Sequence, residues 1–230
     1  MFRYETHLHT APVSKCARAT VRESLEFYKS RGYDGVFITN HFVRGNINID
    51  KALPYSEKIA FYFSDYDEAL SLAEEIGIKV FLGVEITAID GSDFLIYGLS
   101  REWYISHPEL ADMKASEMLK LCRESGGFVV HAHPFREAAY IDHIHLFPRC
   151  VDAVEVYNAC RTDFENEMAR QYAENYCLAV TAGTDNHSGG GRSTFGGMEF
   201  DTPLDSEADY VARVKAGEGH IFKLKLETES

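Results

Sequence analysis

The chain has 230 residues, 45% hydrophobic and 26% charged, ordinary for a globular protein and enough for one domain (1–230) with a full core. Its formal net charge of −13 argues against long duplex nucleic acid as a partner, because a phosphate backbone needs neutralising cations. There is no apolar run of membrane-spanning length, no linker and no repeat, the first residues show no apolar h-region of a secretory leader, and the five cysteines contain no CxxC pair. A cytoplasmic location without a disulfide framework is the default expectation.

Residues 2–7 read as a first strand, and 20–30, with Val21, Leu25 and Tyr28 at helical spacing, as a helix closed by Gly32. The short apolar run 35–39 reads as a buried strand ending at His41. An Asn-rich loop, 42–53, precedes a helix at 64–76 with Ser64 as its N-cap and Asp65 and Asp67 in the first turn, where the helix dipole favours them. Strands follow at 78–84, ending at Glu85, and at 94–99, then a helix at 108–125 with Pro108 at its start. Residues 127–131, 153–157 and 178–182 are further apolar strands, with a helix at 162–175 between the last two. A helix at 206–216 leads to a final strand at 220–226. This alternation predicts an α/β fold with a largely parallel sheet.

Polar residues suited to metals gather at the ends of these strands. His7-Leu8-His9 places two imidazoles on one face of a strand, since side chains alternate with period two. Asn40-His41, Gly83-Val84-Glu85, His131-Ala132-His133-Pro134 and Asp185-Asn186-His187 each follow an apolar strand. A carboxylate there is costly unless paired or metal-bound. Of His131 and His133, one is expected to bind metal and the other to pack nearby. His143-Ile144-His145 repeats the spacing but follows no strand, and reads as loop or surface. The C-terminal strand ends of a βα barrel converge on one site, whereas an open doubly wound sheet would carry a Gly-rich phosphate loop after its first strand, absent here. Mixed imidazole and carboxylate donors suit zinc, manganese or iron.

In these five ordered motifs, spanning His7 to His187, the chain resembles the polymerase and histidinol phosphatase (PHP) family of metal-dependent phosphoesterases. The resemblance implies a distorted seven-stranded, TIM-like βα barrel holding two or three divalent ions. His7, His9, Glu85 and Asp185 would hold the first ion. Glu85 would bridge to a second, which His133 also binds, and His41 and His187 would hold a third. Three positions depart from the family pattern: Asn40 stands where Asp is usual, Cys16 lies where the first loop usually offers Asp or His, and Leu95 stands where many relatives carry His. Cys16 as a thiolate, and Asp93 on the same strand face as Leu95, are the candidate replacements.

The implied reaction is phosphoester hydrolysis by a metal-activated hydroxide, with Asp185 and Glu85 at its centre and Arg136 clamping the phosphate. Lys15, Arg18 and Arg192 flank the motifs and would raise the local potential. The expected substrate is a small phosphorylated metabolite or short nucleotide, with no membrane partner. The loops at 42–55 and 138–150 are expected to shape the pocket, with Tyr140 and Phe147 packing. A degenerate metal-binding or regulatory module is the alternative. A metal-dependent amidohydrolase is a weaker one, because no Lys stands at the end of a motif-bearing strand to be carboxylated.

Overall fold

The computed structural model describes residues 1–139, 141–190 and 192–226; Tyr140 and Gly191 lie outside them. The described residues form nine strands: β1 (Phe2–Leu8), β2 (Gly35–Ile38), β3 (Lys79–Thr87), β4 (Asp93–Tyr97), β5 (Phe128–His131), β6 (Ala153–Asn158), β7 (Ala179–Gly183), β8 (Thr194–Phe200) and β9 (His220–Lys225). Seven helices accompany them: α1 (Val21–Ser30), α2 (Tyr55–Tyr62), α3 (Ser64–Ile76), α4 (Arg101–Ser106), α5 (Ala115–Glu124), α6 (Asp163–Tyr176) and α7 (Glu207–Ala216). None is long and apolar enough to cross a membrane.

The strands make one nearly closed, barrel-like sheet in the order β7-β6-β5-β4-β3-β2-β1-β8-β9. Helical crossovers make β1, β2 and β3 mutually parallel, and β6 and β7 likewise; β5 and β6 are also parallel, joined by a long loop with no helix among its described residues. The chain returns from β3 to β4 in only five residues, 88–92, too few for a crossover, so β4 runs antiparallel to both neighbours. The sheet has nine strands rather than the seven expected. The N-terminal half of β1 pairs with the antiparallel β8, and β9 pairs with β8. The other end of β1 meets the residues after β7: Thr6 Oγ1 donates to Ala182 O (2.7 Å), Asp185 N to His7 O (2.9 Å) and His9 N to Asn186 O (3.1 Å). This contact closes the β7 edge of the sheet onto β1 where the His-rich motifs lie.

Strand β8 gives little pattern in the sequence because Gly196 and Gly197 interrupt it. A Cβ on Gly197 would collide with the Tyr4 carbonyl, and one on Gly196 with the Tyr157 ring. The glycines thus allow close approach of β8 to β1. Helix boundaries also differ from expectation. Residues 108–125 form a short 3-10 turn (Pro108–Asp112) and then α5, because Met113 and Lys114 are extended. The N-cap of α3 is Phe63, not Ser64, whose hydroxyl donates to Phe61 O (2.7 Å). Helices α2 and α4 give no clear sequence signal.

The barrel interior is packed by Tyr4, Phe37, Leu95, Tyr97, Val130 and Ala153, and Tyr210 of α7 closes it, its ring against Phe37, Tyr97 and Phe200. The other helices cover the sheet from outside, α1 over β2, α3 over β3 and α6 over β6. The apolar plug at one end leaves the opposite end to the buried polar side chains.

Candidate metal centre

The C-terminal ends of β1, β2, β3, β5 and β7 and the residues just past them bring His7, His9, His41, Glu85, His133, Asp185 and His187 into one cluster. Within it, three sets each have donor atoms within 4.8 Å of one another: His7, His9 and Asp185; His7, Glu85 and His133; and His9, His41 and His187. Glu85 stands between the sets. Its Oε1 lies 3.3 Å from His7 Nε2 and 3.4 Å from His133 Nε2, and its Oε2 lies 3.3 Å from His9 Nε2 and 2.6 Å from His41 Nδ1. Asp185 Oδ1 lies 3.4 Å from His9 Nε2 and 3.6 Å from His7 Nε2.

This donor set fits divalent cations. Both Glu85 oxygens and His41 Nδ1 are buried without a partner in hydrogen-bond geometry among the described residues. The Nε2 atoms of His7 and His9 face each other at 3.2 Å. Imidazole lone pairs and carboxylate oxygens aimed at common positions repel unless protons or cations lie between them, and divalent cations satisfy several donors at once. Backbone strain points the same way: His133 (φ 27°) and Asp185 (φ 59°) adopt left-handed conformations that L residues rarely take, and such outliers concentrate at functional sites.

Charge follows from the packing. Burial pushes the Glu85 carboxyl up, but His41 and His9 overcome that and hold it well below the usual carboxylate range. Burial and His7 act in the same opposed way on Asp185, again with a net fall. His9 is driven well below the ordinary imidazole value by burial and by its neighbours His187 and His41, so its Nε2 carries a free lone pair. Both carboxylates thus stay ionised and His9 neutral at pH 7. Burial lowers His7, His41, His133 and His187, but the facing carboxylates, and Cys16 for His41 and His187, outweigh it and raise them. A metal binding here would therefore displace protons from these rings.

Cys16 lies beside His41 and His187; burial pushes its thiol up, but these two rings pull it down to about 6. Asp93 lies outside the three sets. Its Oδ1 accepts from Thr87 Oγ1 (2.6 Å), and its Oδ2 lies 3.8 Å from Arg136 Nη1. Leu95 is paired in register with Glu85 and fully buried. His131 also stays out of the sets, its ring stacked on Phe94 at 4.9 Å, and Phe147 packs edge-on against both.

Sequence reasoning missed the residues beneath the donors. Glu155 Oε1 lies 2.9 Å from His7 Nδ1, while its Oε2 accepts from His133 N (3.0 Å) and Asn158 Nδ2 (3.0 Å). Glu5 Oε1 accepts from His7 N and Thr184 N, both at 2.9 Å. The available signal was a lone carboxylate in each otherwise apolar or uncharged strand stretch, Val154-Glu155-Val156 and Tyr4-Glu5-Thr6.

A cavity of about 1020 Å³ opens over the cluster. Its wall carries Arg18, Arg44, Arg136, Arg161 and Arg192, and His143 and His145, exposed loop residues as expected, also line it.

No protein-family model matches the chain. It is 25% identical over 143 residues to the uncharacterized protein MJ1587 of Methanocaldococcus jannaschii, 62% of this chain and 68% of that protein. Among solved structures it superposes on a two-domain protein of Bacteroides vulgatus containing a predicted PHP-like metal-dependent phosphoesterase, with a TM-score of 0.68 and 16% identity over 96% of this chain. It also superposes on Endonuclease Q in complex with a 27-mer duplex bearing an abasic lesion at the active site, with a TM-score of 0.62 and 15% identity over 96% of this chain. The chain spans 64% of the length of the first and 57% of the second. The fold is that of the PHP-like metal-dependent phosphoesterases.

Endonuclease Q overturns the expectation that long duplex nucleic acid is excluded as a partner. That expectation rested on net charge, which sums over the whole surface. It does not describe one cavity, and here five arginines line the wall of the cavity in an acidic chain.

Proposed function

We propose that this protein is a metal-dependent phosphoesterase. The observation that carries the reading is Glu85: a fully buried carboxylate whose two oxygens, lacking hydrogen-bond partners among the described residues, each face imidazole nitrogens from two other strand ends. In this reading His7, His9, Glu85 and Asp185 would hold one divalent ion, with Glu85 and His133 available to a second. Each imidazole would serve a single ion, because His7 Nδ1 is engaged by Glu155 and His9 Nδ1 by Ser14. His41 and His187 would hold a third, with the Cys16 thiolate beside them. When bound, such ions supply Lewis acidity that lowers the pKa of water towards about 7 and neutralises charge on phosphoryl oxygens.

The chain's own residues do the rest. Asp185 and Glu85 stay ionised and fix the donor geometry. Arg136, on the cavity wall and steered by Asp93, donates to a phosphoryl oxygen. The arginines facing it across the cavity favour an anionic substrate. The cavity accommodates a phosphorylated molecule of nucleotide size, or a single nucleotide presented by a longer strand.

The test is zinc or manganese reconstitution, metal analysis, and turnover of aryl phosphate, aryl nucleotide diester and an abasic duplex, with Asp185→Ala as control. Metal-dependent turnover that the control lacks is expected. Bound metal without turnover of any phosphoester would replace this reading with that of a metal-binding module.

A further inference from the structure

Asn40 occupies the motif position next to His41, yet every polar atom of its side chain is engaged away from the donor cluster. Its Nδ2 donates to Asp65 Oδ2 (3.1 Å) and Thr10 Oγ1 (2.9 Å). Its Oδ1 accepts from Thr10 N (2.7 Å) and Ser14 Oγ (2.9 Å). Ser14 Oγ in turn accepts from His41 N (3.1 Å) and lies 3.1 Å from His9 Nδ1. Thr10, Ser14, Asn40 and Asp65 are each at most 1% exposed.

The direction of these bonds is fixed from one end. Asp65 Oδ2 receives Thr10 Oγ1 (2.7 Å), Val13 N (3.2 Å) and Asn40 Nδ2, so this oxygen is an acceptor that carries no proton, although burial raises the carboxyl above its ordinary value. Such an oxygen only accepts, so the amide nitrogen of Asn40 must face it and the amide oxygen must face Ser14. Ser14 must then give its single proton to Asn40. Its remaining lone pairs are left for His41 N–H and for a proton on His9 Nδ1. His9 is thereby held as the Nδ1–H tautomer, with the Nε2 lone pair directed at Asp185, Glu85 and His7.

We infer that Asp65, acting through Asn40 and Ser14, is a positioning residue that sets the tautomer of His9 and anchors the backbone of His41. One carboxylate at the start of α3 thus orients two candidate ligands from two different strands. Asn at position 40 is required by this arrangement: Asp there would set two carboxylates against each other across 3.1 Å.

The metal-affinity arm of the test rests on the reading of His9 as a ligand; the tautomer arm does not. In metal-free protein, 15N shifts of the His9 ring should show Nδ1 protonated and Nε2 bare. Asp65→Asn, whose amide can donate as well as accept, should lose that preference and weaken zinc binding by about tenfold or more, the usual scale for partners of metal-bound histidines. Asn40→Asp should weaken it similarly. The double variant Asp65→Asn/Asn40→Asp restores one carboxylate and one amide, keeps an acceptor towards Ser14, and should recover most of the affinity and the His9 tautomer. Should Asp65→Asn fail to fold, Ser14→Ala cuts the last link and leaves the Asp65–Asn40 pair intact, with the same two expected losses. An unchanged His9 tautomer in these variants, or a double variant no better than the singles, would overturn the inference. If wild-type protein bound no zinc, the metal reading would fail, while the 15N shifts would still decide this one.

Discussion

His7 Nδ1 lies 2.9 Å from Glu155 Oε1, both side chains fully buried. Glu155 also takes the backbone N–H of His133 and the amide of Asn158 on its other oxygen, so one carboxylate locks two candidate ligands from β1 and β5. Because Oε2 accepts from two N–H donors, Glu155→Gln must turn its amide nitrogen towards His7 Nδ1, which then cannot be the protonated nitrogen that a His7 ligating through Nε2 requires. We expect Glu155→Gln to fold but to bind zinc about 10–100-fold more weakly, as loss of a buried partner of a ligating histidine does. Calorimetric titration of metal-free protein checks this, and wild-type affinity in the variant would show that Glu155 only fills space.

Gly183, the last residue of β7, touches the same pair from below. A Cβ there would sit 2.5 Å from His7 Cβ and 3.0 Å from Glu155 Oε1. Gly183→Ala is therefore expected to cost about 1–3 kcal/mol by overpacking and to displace His7. Thermal denaturation and zinc titration should both register the loss. A variant with wild-type stability and affinity would mean that the strand yields at no cost.

These relationships mark the boundary of what the sequence reveals. The donor residues were legible because each breaks an apolar run at a strand end, as Glu85 does after Val84 and His133 does before Pro134. Their partners were not, because a residue such as Asp65 has an ordinary local explanation. In the first turn of α3 it reads as a helix-dipole residue, and its burial against Thr10 and Asn40 is set by packing between distant segments. The alternation of strands and helices gave the barrel but not β4's direction, which depends on the length of the turn before it, nor β8, whose glycines erase the apolar signature. Net charge misled because the arginines concentrate at the cavity.

Cys16 offers a reading of the third donor set by chemistry alone. The His187 and His41 rings bring its thiol down to about 6 despite partial burial, whereas burial pushes Cys122 and Cys160 up to about 12. In metal-free protein, alkylation of Cys16 should rise with pH, inflect near 6 and then level off. An ordinary thiol would inflect near about 8.5. Peptide mapping of iodoacetamide adducts separates it from the other cysteines. His41→Ala should move the inflexion upward, and zinc should protect the thiol. An inflexion at the ordinary value, unmoved by His41→Ala, would place the thiolate elsewhere.

The wall that carries Arg136 is tied to the start of α6. Thr162 and Glu165 form a capping box there: Glu165 Oε2 accepts from Thr162 N (2.7 Å) and Oγ1 (2.8 Å), and Glu165 Oε1 accepts from Glu137 N (2.8 Å), the residue after Arg136. Burial pushes the Glu165 carboxyl up, but these hydrogen bonds outweigh it and hold its pKa below the ordinary value. A group whose folded pKa is depressed binds fewer protons folded than unfolded over that interval. Its stabilisation is therefore full above the ordinary glutamate value and is lost as pH falls through the depressed one. Glu165→Gln should cost about 1–2 kcal/mol at pH 7, the scale of a lost cap. It should also flatten the acid limb of the stability profile relative to wild type, which denaturant unfolding across pH 3 to 7 measures. With Glu137 released, the Arg136 turn loosens, so the variant should show a raised KM with little change in kcat for a phosphoester substrate. If kcat fell instead and KM held, Arg136 would be acting in the transition state alone, and its placement would not depend on the cap.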